Sequence, residues 1–314
     1  MQRPFFFRAR RADGVIGRGE RDAGFQDGTF LAVCRHLNYT RAAEELCITQ
    51  PAVSQHIRFL EEHYGCRLFA SEGRRMALTP AGRILYSAAL TMKHDEDLLR
   101  DQMREAAEDR HLAFGATVSI GEGALAGWME RFLKQCPQDR VQVTVSNTRT
   151  LLQMLDEGSI DFAFVEGYFS RNDYDLVVLS EEPFIAVTGS GHVFEREPRR
   201  LEDLLSETVL LREAGSGSRE ILERALKERQ LSLEDFAARI EVNNIHVIKQ
   251  LAAEGRGVTF AYRAAVKKEL EEGKLREIRL QDFSIEHEFY FIWRKGSIYA
   301  QRYREIYRRF MEEG

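Results

Sequence analysis

The chain has 314 residues, 44% hydrophobic and 30% charged, with a net charge of −5. That is an ordinary globular balance, and the length calls for two or three folding units rather than one small core. A mildly acidic total excludes a chain that is basic all over, so any contact with nucleic acid or anionic lipid has to be local. No stretch approaches the ~18 consecutive apolar residues of a membrane span, and no membrane partner is expected.

Residues 1–24, MQRPFFFRARRADGVIGRGERDAG, are rich in Phe and Arg but have no hydrophobic period and are broken by Gly14, Gly17, Gly19 and Gly24. They lack an apolar stretch of signal-peptide length, so a disordered extension or an upstream start read in error is expected, in a cytoplasmic protein. A nucleic-acid-binding arm is the alternative that the arginines leave open. Cys34, Cys47, Cys66 and Cys136 form no CxxC pair and none stands near a His at zinc-finger spacing. Buried, reduced thiols are expected, with no metal site and no cofactor. A downstream disulfide switch would need a second cysteine beside Cys136.

From Phe25 to about Arg110 the pattern is mostly helical, with one extended stretch at 66–78. Residues 38–65, NYTRAAEELCITQPAVSQHIRFLEEHYG, read as two short amphipathic helices around a tight corner. The first, Thr40 to Leu46, offers Ala42, Ala43 and Leu46 for close crossing, with Thr40 able to cap it. In the second, Gln50 to Tyr64, the residues Val53, Ile57, Leu60 and Tyr64 recur at helical spacing and predict one buried stripe. Thr49 is placed as its N-cap, with Pro51 near the first turn. Gln50, Pro51, Ser54, Gln55 and Arg58 share the other face. Hydroxyl, amide and guanidinium groups near a helix N-terminus suit the edges of a DNA major groove. Beyond Gly65, RLFASEGRRMALT reads as a hairpin turning at Gly73, with Arg74 and Arg75 placed as a wing for phosphates. On pattern alone a helical docking domain fits equally well. Acidic and basic residues nearly balance over 25–90, so affinity for DNA would rest on a few placed contacts and on dimerisation.

Residues 79–110 open with Thr79 and Pro80, a cap and first-turn pair. Leu85, Met92, Leu99 and Ala106 then repeat every seven residues, with Ala89 and Met103 between and Glu96 interrupting. This heptad-like seam predicts a dimerising helix of roughly 45 Å, the alternative being a helix packed on its own domain. From Leu112 onward short β-like runs alternate with helices: 112–120, 141–146, 160–166, 184–189, 207–212, 239–242, 257–262, 275–280 and 288–293. That alternation predicts an α/β region with a largely parallel sheet, long enough for two lobes.

The stretch from Phe30 to Gly82 closely resembles the winged helix-turn-helix of LysR-type transcriptional regulators. It does so through AAEEL, TQPAVSQHI, LEE, Gly65 followed by RLF, and LTPAG, in order. The resemblance implies a sequence-specific regulator that binds double-stranded promoter DNA, responds to a small-molecule effector and assembles as a homodimer or homotetramer. By matching position, Gln50, Pro51, Ser54 and Gln55 would face bases, while Thr40, Arg41, Arg58, Arg74 and Arg75 would meet phosphates. Two positions depart from family habit: Ser71 stands where many members have Arg, and Gln55 where a basic residue is common.

Downstream, GATVSIG, EGSIDFAFVEG, AGSGSRE and AEGRGVTFAY resemble the family's effector-binding domain, a periplasmic-binding-protein-like fold of two lobes with the ligand between them. The expected fold class is α/β: a winged helix-turn-helix over 25–82, a linker helix over 83–110 and an effector domain over 111–314. Lobe one would take 112–166 and 287–314, and lobe two 167–286. The candidates for holding a small anionic or polar ligand are Thr117 and Ser119 at the end of the first strand, Thr148 after the second, Ser216 and Ser218 in GSGSR, and Asn243 and Asn244 after RIEV. Each also reads as a plain helix cap. Glu166 is expected to close the cleft by pairing across lobes. No HExxH, Walker, GxGxxG or GxSxG pattern appears, so no enzyme is expected.

Overall fold

The computed structural model describes residues 23–72, 75–105 and 111–312. Most of the expected extension, the wing tip at Gly73 and Arg74, and Ala106 of the heptad seam lie outside them; Ala23 and Gly24 open the first helix. The chain folds as two compact units that divide between Ala89 and Leu90. Among the described residues no helix is long and apolar enough to cross a membrane. Nor do any three or more His, Cys, Asp or Glu form a group that could hold a metal ion.

The first unit holds α1 (Ala23–His36), α2 (Tyr39–Glu45), α3 (Gln50–Tyr64), an antiparallel hairpin of β1 (Phe69–Glu72) and β2 (Arg75–Leu78), and the start of α4 (Pro80–Glu105). Phe30, Leu31, Val33, Ala42, Ala43, Val53, Ile57, Leu60 and Leu68 form its core. Tyr64 does not complete the buried stripe: it is 49% exposed. Gly65 ends the helix in the left-handed conformation directly after it, so the last position of the stripe overruns the core. The cap of α2 is Asn38 rather than Thr40, because the helix already starts at Tyr39; Asn38 Oδ1 accepts from the Thr40 and Arg41 amides. Thr49 caps α3 as expected, accepting from Ala52 N. Cys47, in the turn between α2 and α3, is exposed, which corrects the expectation of buried thiols throughout.

The motif LTPAG joins the hairpin to α4 for a steric reason. Thr79 donates through Oγ1 to the Arg67 carbonyl at 2.7 Å and accepts from Gly82 N at 2.9 Å. A Cβ on Gly82 would stand 2.1 Å from the Leu68 carbonyl oxygen, so only glycine lets the helix start lie this close to the hairpin. The described part of α4 is 26 residues, or about 39 Å. Leu85 and Ala89 are buried, whereas Met92, Leu99 and Met103 are exposed. The expected seam is therefore not one face: its early members are buried and its later ones are not.

The second unit continues with β3 (His111–Thr117), α5 (Val118–Gly123), α6 (Leu125–Gln135), β4 (Arg140–Ser146), α7 (Thr148–Glu157), β5 (Phe162–Val165) and β6 (Tyr174–Gly189). There follow β7 (Thr208–Leu211), α8 (Gly217–Lys227), β8 (Ala238–Glu241), α9 (Ile245–Ala253), β9 (Val258–Tyr262), α10 (Arg263–Glu271), β10 (Leu275–Ile278), β11 (Ile285–Arg294) and α11 (Ala300–Met311). The strands make one sheet in the order β4-β3-β5-β11-β6-β9-β7-β8, with β10 also on β6. It is mixed rather than largely parallel. Two parallel trios, β4-β3-β5 and β9-β7-β8, flank the long strands β6 and β11, which pair antiparallel with each other and with their neighbours. The expected strand 184–189 is only the end of β6. Its first ten residues escape a sequence reading because they mix polar residues and include Pro183, which normally argues against a strand.

Phe114, Phe162, Phe164, Phe291, Trp293 and Phe310 stack across one face of the first trio. Leu151, Leu155 and Ile160 cover its other face, and Ile185, Leu210, Ile248 and Val266 do the same for the second trio. The C-terminal half of α4 docks here through polar groups: Asp95 accepts from Ser297 Oγ at 2.6 Å and Ile298 N at 2.9 Å, and His94 Nε2 lies 3.2 Å from Tyr303 Oη.

Gly82→Ala is expected to cost about 1–3 kcal/mol by overpacking, since the obstructing atom is backbone and cannot swing away. Thermal denaturation should register it as a lower midpoint for the first unit, and an unchanged midpoint would contradict the close-approach argument.

Candidate functional site

The first candidate face lies on α3 and its surroundings. Thr40, Arg41, Thr49, Gln50, Pro51, Gln55 and Arg58 are exposed and Ser54 is half-buried. Val53, Ile57 and Leu60 anchor the opposite side of the same helix, so period 3.6 forces the polar residues outward. Gln50 Nε2 donates to Ser54 Oγ at 3.0 Å, one turn on, which orders the amide at the helix tip and leaves its carbonyl oxygen free to accept. His56 Nδ1, 3.0 Å from Thr29 Oγ1, ties α3 to α1. Glu61 binds Leu68 N at 2.9 Å and Arg67 at 2.6 Å, which fixes α3 against the start of the hairpin. Arg75 opens β2 opposite Glu72. Arg74 lies outside the described residues.

The second candidate site forms where β3, β5, α7 and α8 converge. Thr117 ends β3 and is 1% exposed. Ser119 is not on that strand but in the first turn of α5. Both hydroxyls hydrogen-bond the carboxyl of Glu166, the residue after β5. Thr148 opens α7 and donates to the Glu166 carbonyl at 3.0 Å, because Asn147 has already taken the capping role. From the other half of the sheet, Ser216 and Ser218 lie 3.0 Å apart, oxygen to oxygen, at the start of α8. Gly217 between them brings this turn in: a Cβ there would meet the Glu166 carbonyl oxygen at 2.9 Å and Thr148 Oγ1 at 3.0 Å. Five of the seven expected ligand residues are thus brought together around Glu166.

Asn243 and Asn244 are not among them. Both are exposed, and Asn244 Oδ1 caps α9 through His246 N and Val247 N. Glu166 does not ion-pair across the sheet as expected; its hydrogen bonds go to Thr117 and Ser119 on its own side. The bridging ion pair is formed instead by Lys249 of α9, 2.9 Å from Glu122 of α5 and 2.9 Å from Glu269 of α10.

Burial pushes the Glu166 carboxyl up to about 7, although the Ser119 hydroxyl and the charge of Arg212 oppose the shift. Arg212 is itself buried and forks onto Glu213 at 2.8 and 3.0 Å. Tyr262, at the end of β9, keeps its hydroxyl buried with no hydrogen-bond partner among the described residues. A charge closing each apolar run, as in FAFVE and TVLLR, was the one sequence signal for Glu166 and Arg212.

Residues 28–83 match the family described as bacterial regulatory helix-turn-helix protein, lysR family, and residues 105–312 match the LysR substrate binding domain. The chain is 30% identical to the RuBisCO operon transcriptional regulator of Allochromatium vinosum over 85% of this chain and 88% of that one. Among solved structures it is similar to ArgP from Mycobacterium tuberculosis, with a TM-score of 0.59 and 19% identity over 91% of this chain and 96% of that one. It is also similar to the Synechocystis CcmR regulatory domain in complex with 2-PG, with a TM-score of 0.57 and 17% identity over 64% of this chain and 95% of that one.

A carboxyl whose pKa is higher folded than unfolded holds its proton better in the fold. Its stabilising effect is whole below about 4.5 and is lost as pH rises through about 7. At about 1.4 kcal/mol per unit, the ceiling is ~3 kcal/mol. Denaturant titrations from pH 5 to 8 should show this loss in the natural protein and not in Glu166→Gln. Parallel pH profiles for the two would contradict the assignment.

Proposed function

The chain belongs to the LysR family of bacterial helix-turn-helix regulators, and on that premise we propose how its residues divide the work. It is a DNA-binding transcription regulator with an effector-binding domain, and not an enzyme. In our reading α3 enters the major groove. Gln50, Pro51, Ser54 and Gln55 meet base edges there, and Thr40, Arg41, Thr49, Arg58, Arg74 and Arg75 hold the backbone. The ordered Gln50–Ser54 pair carries this reading, since a pre-set amide at a helix tip loses little entropy on pairing with a base.

The effector domain divides, in the same reading, into lobe one at about 112–166 and 287–314 and lobe two at about 167–286, joined by β6 and β11. A small anionic or polar effector sits between them at Thr117, Ser119, Thr148, Ser216 and Ser218. The convergence of these five buried hydroxyls from both halves supports it, and the CcmR neighbour carries a small ligand, 2-PG. The exposed apolar residues Met92, Leu99 and Met103, at helical spacing on α4, support a homodimer or homotetramer built on that helix.

On a promoter fragment that the protein shifts, Gln50→Ala with Ser54→Ala should lower affinity about 10- to 100-fold and relax sequence preference. Full preference in a folded double mutant would remove α3 as the reader. Met92→Asp with Leu99→Asp should reduce the mass measured by light scattering to that of a smaller assembly, and an unchanged mass would exclude the α4 face.

A further inference from the structure

Within the cleft reading proposed above, the geometry points to Glu166 as the cleft's own resident anion, so that a small anionic effector enters together with a proton that goes onto Glu166. The first observation is that the hydroxyl donors are mostly spent within the protein. Thr117 and Ser119 serve the Glu166 carboxyl, Thr148 serves its carbonyl, and one of Ser216 and Ser218 donates to the other. The starts of α7 and α8 close on the Glu166 backbone carbonyl, Thr148 through its hydrogen bond and Gly217 through close approach, and so fix the residue whose carboxyl Thr117 and Ser119 hold.

The second observation is that the buried cations near the site, Arg212 and Lys249, are already committed to carboxylates. Arg212, after β7, is hydrogen-bonded to Glu213. Arg149 on α7 faces Glu220 on α8 at 4.0 Å. Lys249 on α9 lies between Glu122 on α5 and Glu269 on α10. The two buried cations are thus engaged before a second anion arrives, and two like charges in a buried site repel strongly. A proton on Glu166 removes that repulsion and turns the carboxyl into a donor. Burial already brings the carboxyl near neutrality, so the exchange falls within ordinary pH.

The third observation is Tyr262. Its hydroxyl is buried and has no hydrogen-bond partner among the described residues, and Glu166 leads the charges that act on it, ahead of Tyr168, Tyr290 and Glu182. It supplies an unspent donor for an incoming anion, within the field of the carboxyl that has to be neutralised.

The test follows thermal stabilisation of the full-length protein and of Glu166→Gln by sulfate, inorganic phosphate and 2-PG between pH 6 and 8.5. Sulfate serves as the reference because it does not titrate there. The natural protein should lose about tenfold in apparent affinity per pH unit above 7, while Glu166→Gln keeps its affinity and binds more tightly at pH 8. Calorimetry at pH 8 in two buffers of different ionisation enthalpy should find about one proton taken up per sulfate in the natural protein, and none in the variant. An anion that binds both proteins with the same pH dependence overturns the inference and leaves the cleft reading standing. If no anion stabilises either protein at any pH, the anion-binding reading of the cleft itself fails. Binding of a primary amine such as putrescine that strengthens with pH and is lost in Glu166→Gln would assign Glu166 to a cationic ligand instead, and overturn the inference.

Discussion

The pairing of β6 with β11 runs from Phe184 opposite Ile285 to Tyr174 opposite Arg294, and both parallel trios hang on it. One edge of the ladder carries β5 and the other carries β9, so each half of the sheet is completed by strands that also belong to its counterpart. The side chains on β11 alternate between faces as a strand requires: Phe289, Phe291 and Trp293 enter the large aromatic cluster, while Tyr290 and Ile292 pack behind. A register slip at the bulge between Phe289 and Tyr290 would exchange these sets, so the aromatic core pins the ladder and the ladder holds the strand ends where the hydroxyls gather.

Those hydroxyls illustrate why a buried carboxyl is tolerable. Glu166 follows four consecutive buried residues, a place where an ionised group is costly unless it is well supplied with donors. The fold supplies Thr117 and Ser119 from the neighbouring strand and its following turn, and keeps Arg212 near but committed to Glu213. The result is a site poised between charge states and not one locked in an ion pair, which is the electrostatic condition for a carboxyl that responds to what enters beside it.

The helix-turn-helix was legible because its determinants are local. The spacing of Val53, Ile57 and Leu60, the cap Thr49, and the Thr79–Gly82 step each act within a few residues. The cluster around Glu166 was only partly legible. Thr117, Ser119, Thr148, Ser216 and Ser218 were found because small hydroxyls at strand-to-helix turns are visible in sequence. The glutamate that joins them was misread, because its partners come from a strand about fifty residues away. Asn243 and Asn244 fit the same local pattern but stand exposed outside the cluster, where Asn244 caps α9. Capping and ligand binding use the same groups, and only tertiary placement separates them. The first part of β6 was hidden for a related reason: Pro183 and the polar run of Ser180, Glu181 and Glu182 before it look like a loop until β11 stands opposite them.

The insertion of β11 between β5 and β6 also has a consequence for how the chain is made. As the polypeptide emerges from the ribosome, β3, β4 and β5 can pair at once, but the free side of β5 has to wait until residues 285–294 arrive, more than a hundred positions later. During that interval the run Phe162–Val165, fully buried in the finished fold, presents an unpaired apolar strand edge. Such edges invite pairing with other chains, and non-local closure of this kind is slow. The topology that gives the mature domain its shared ladder thus makes the nascent chain dependent on late synthesis for its protection.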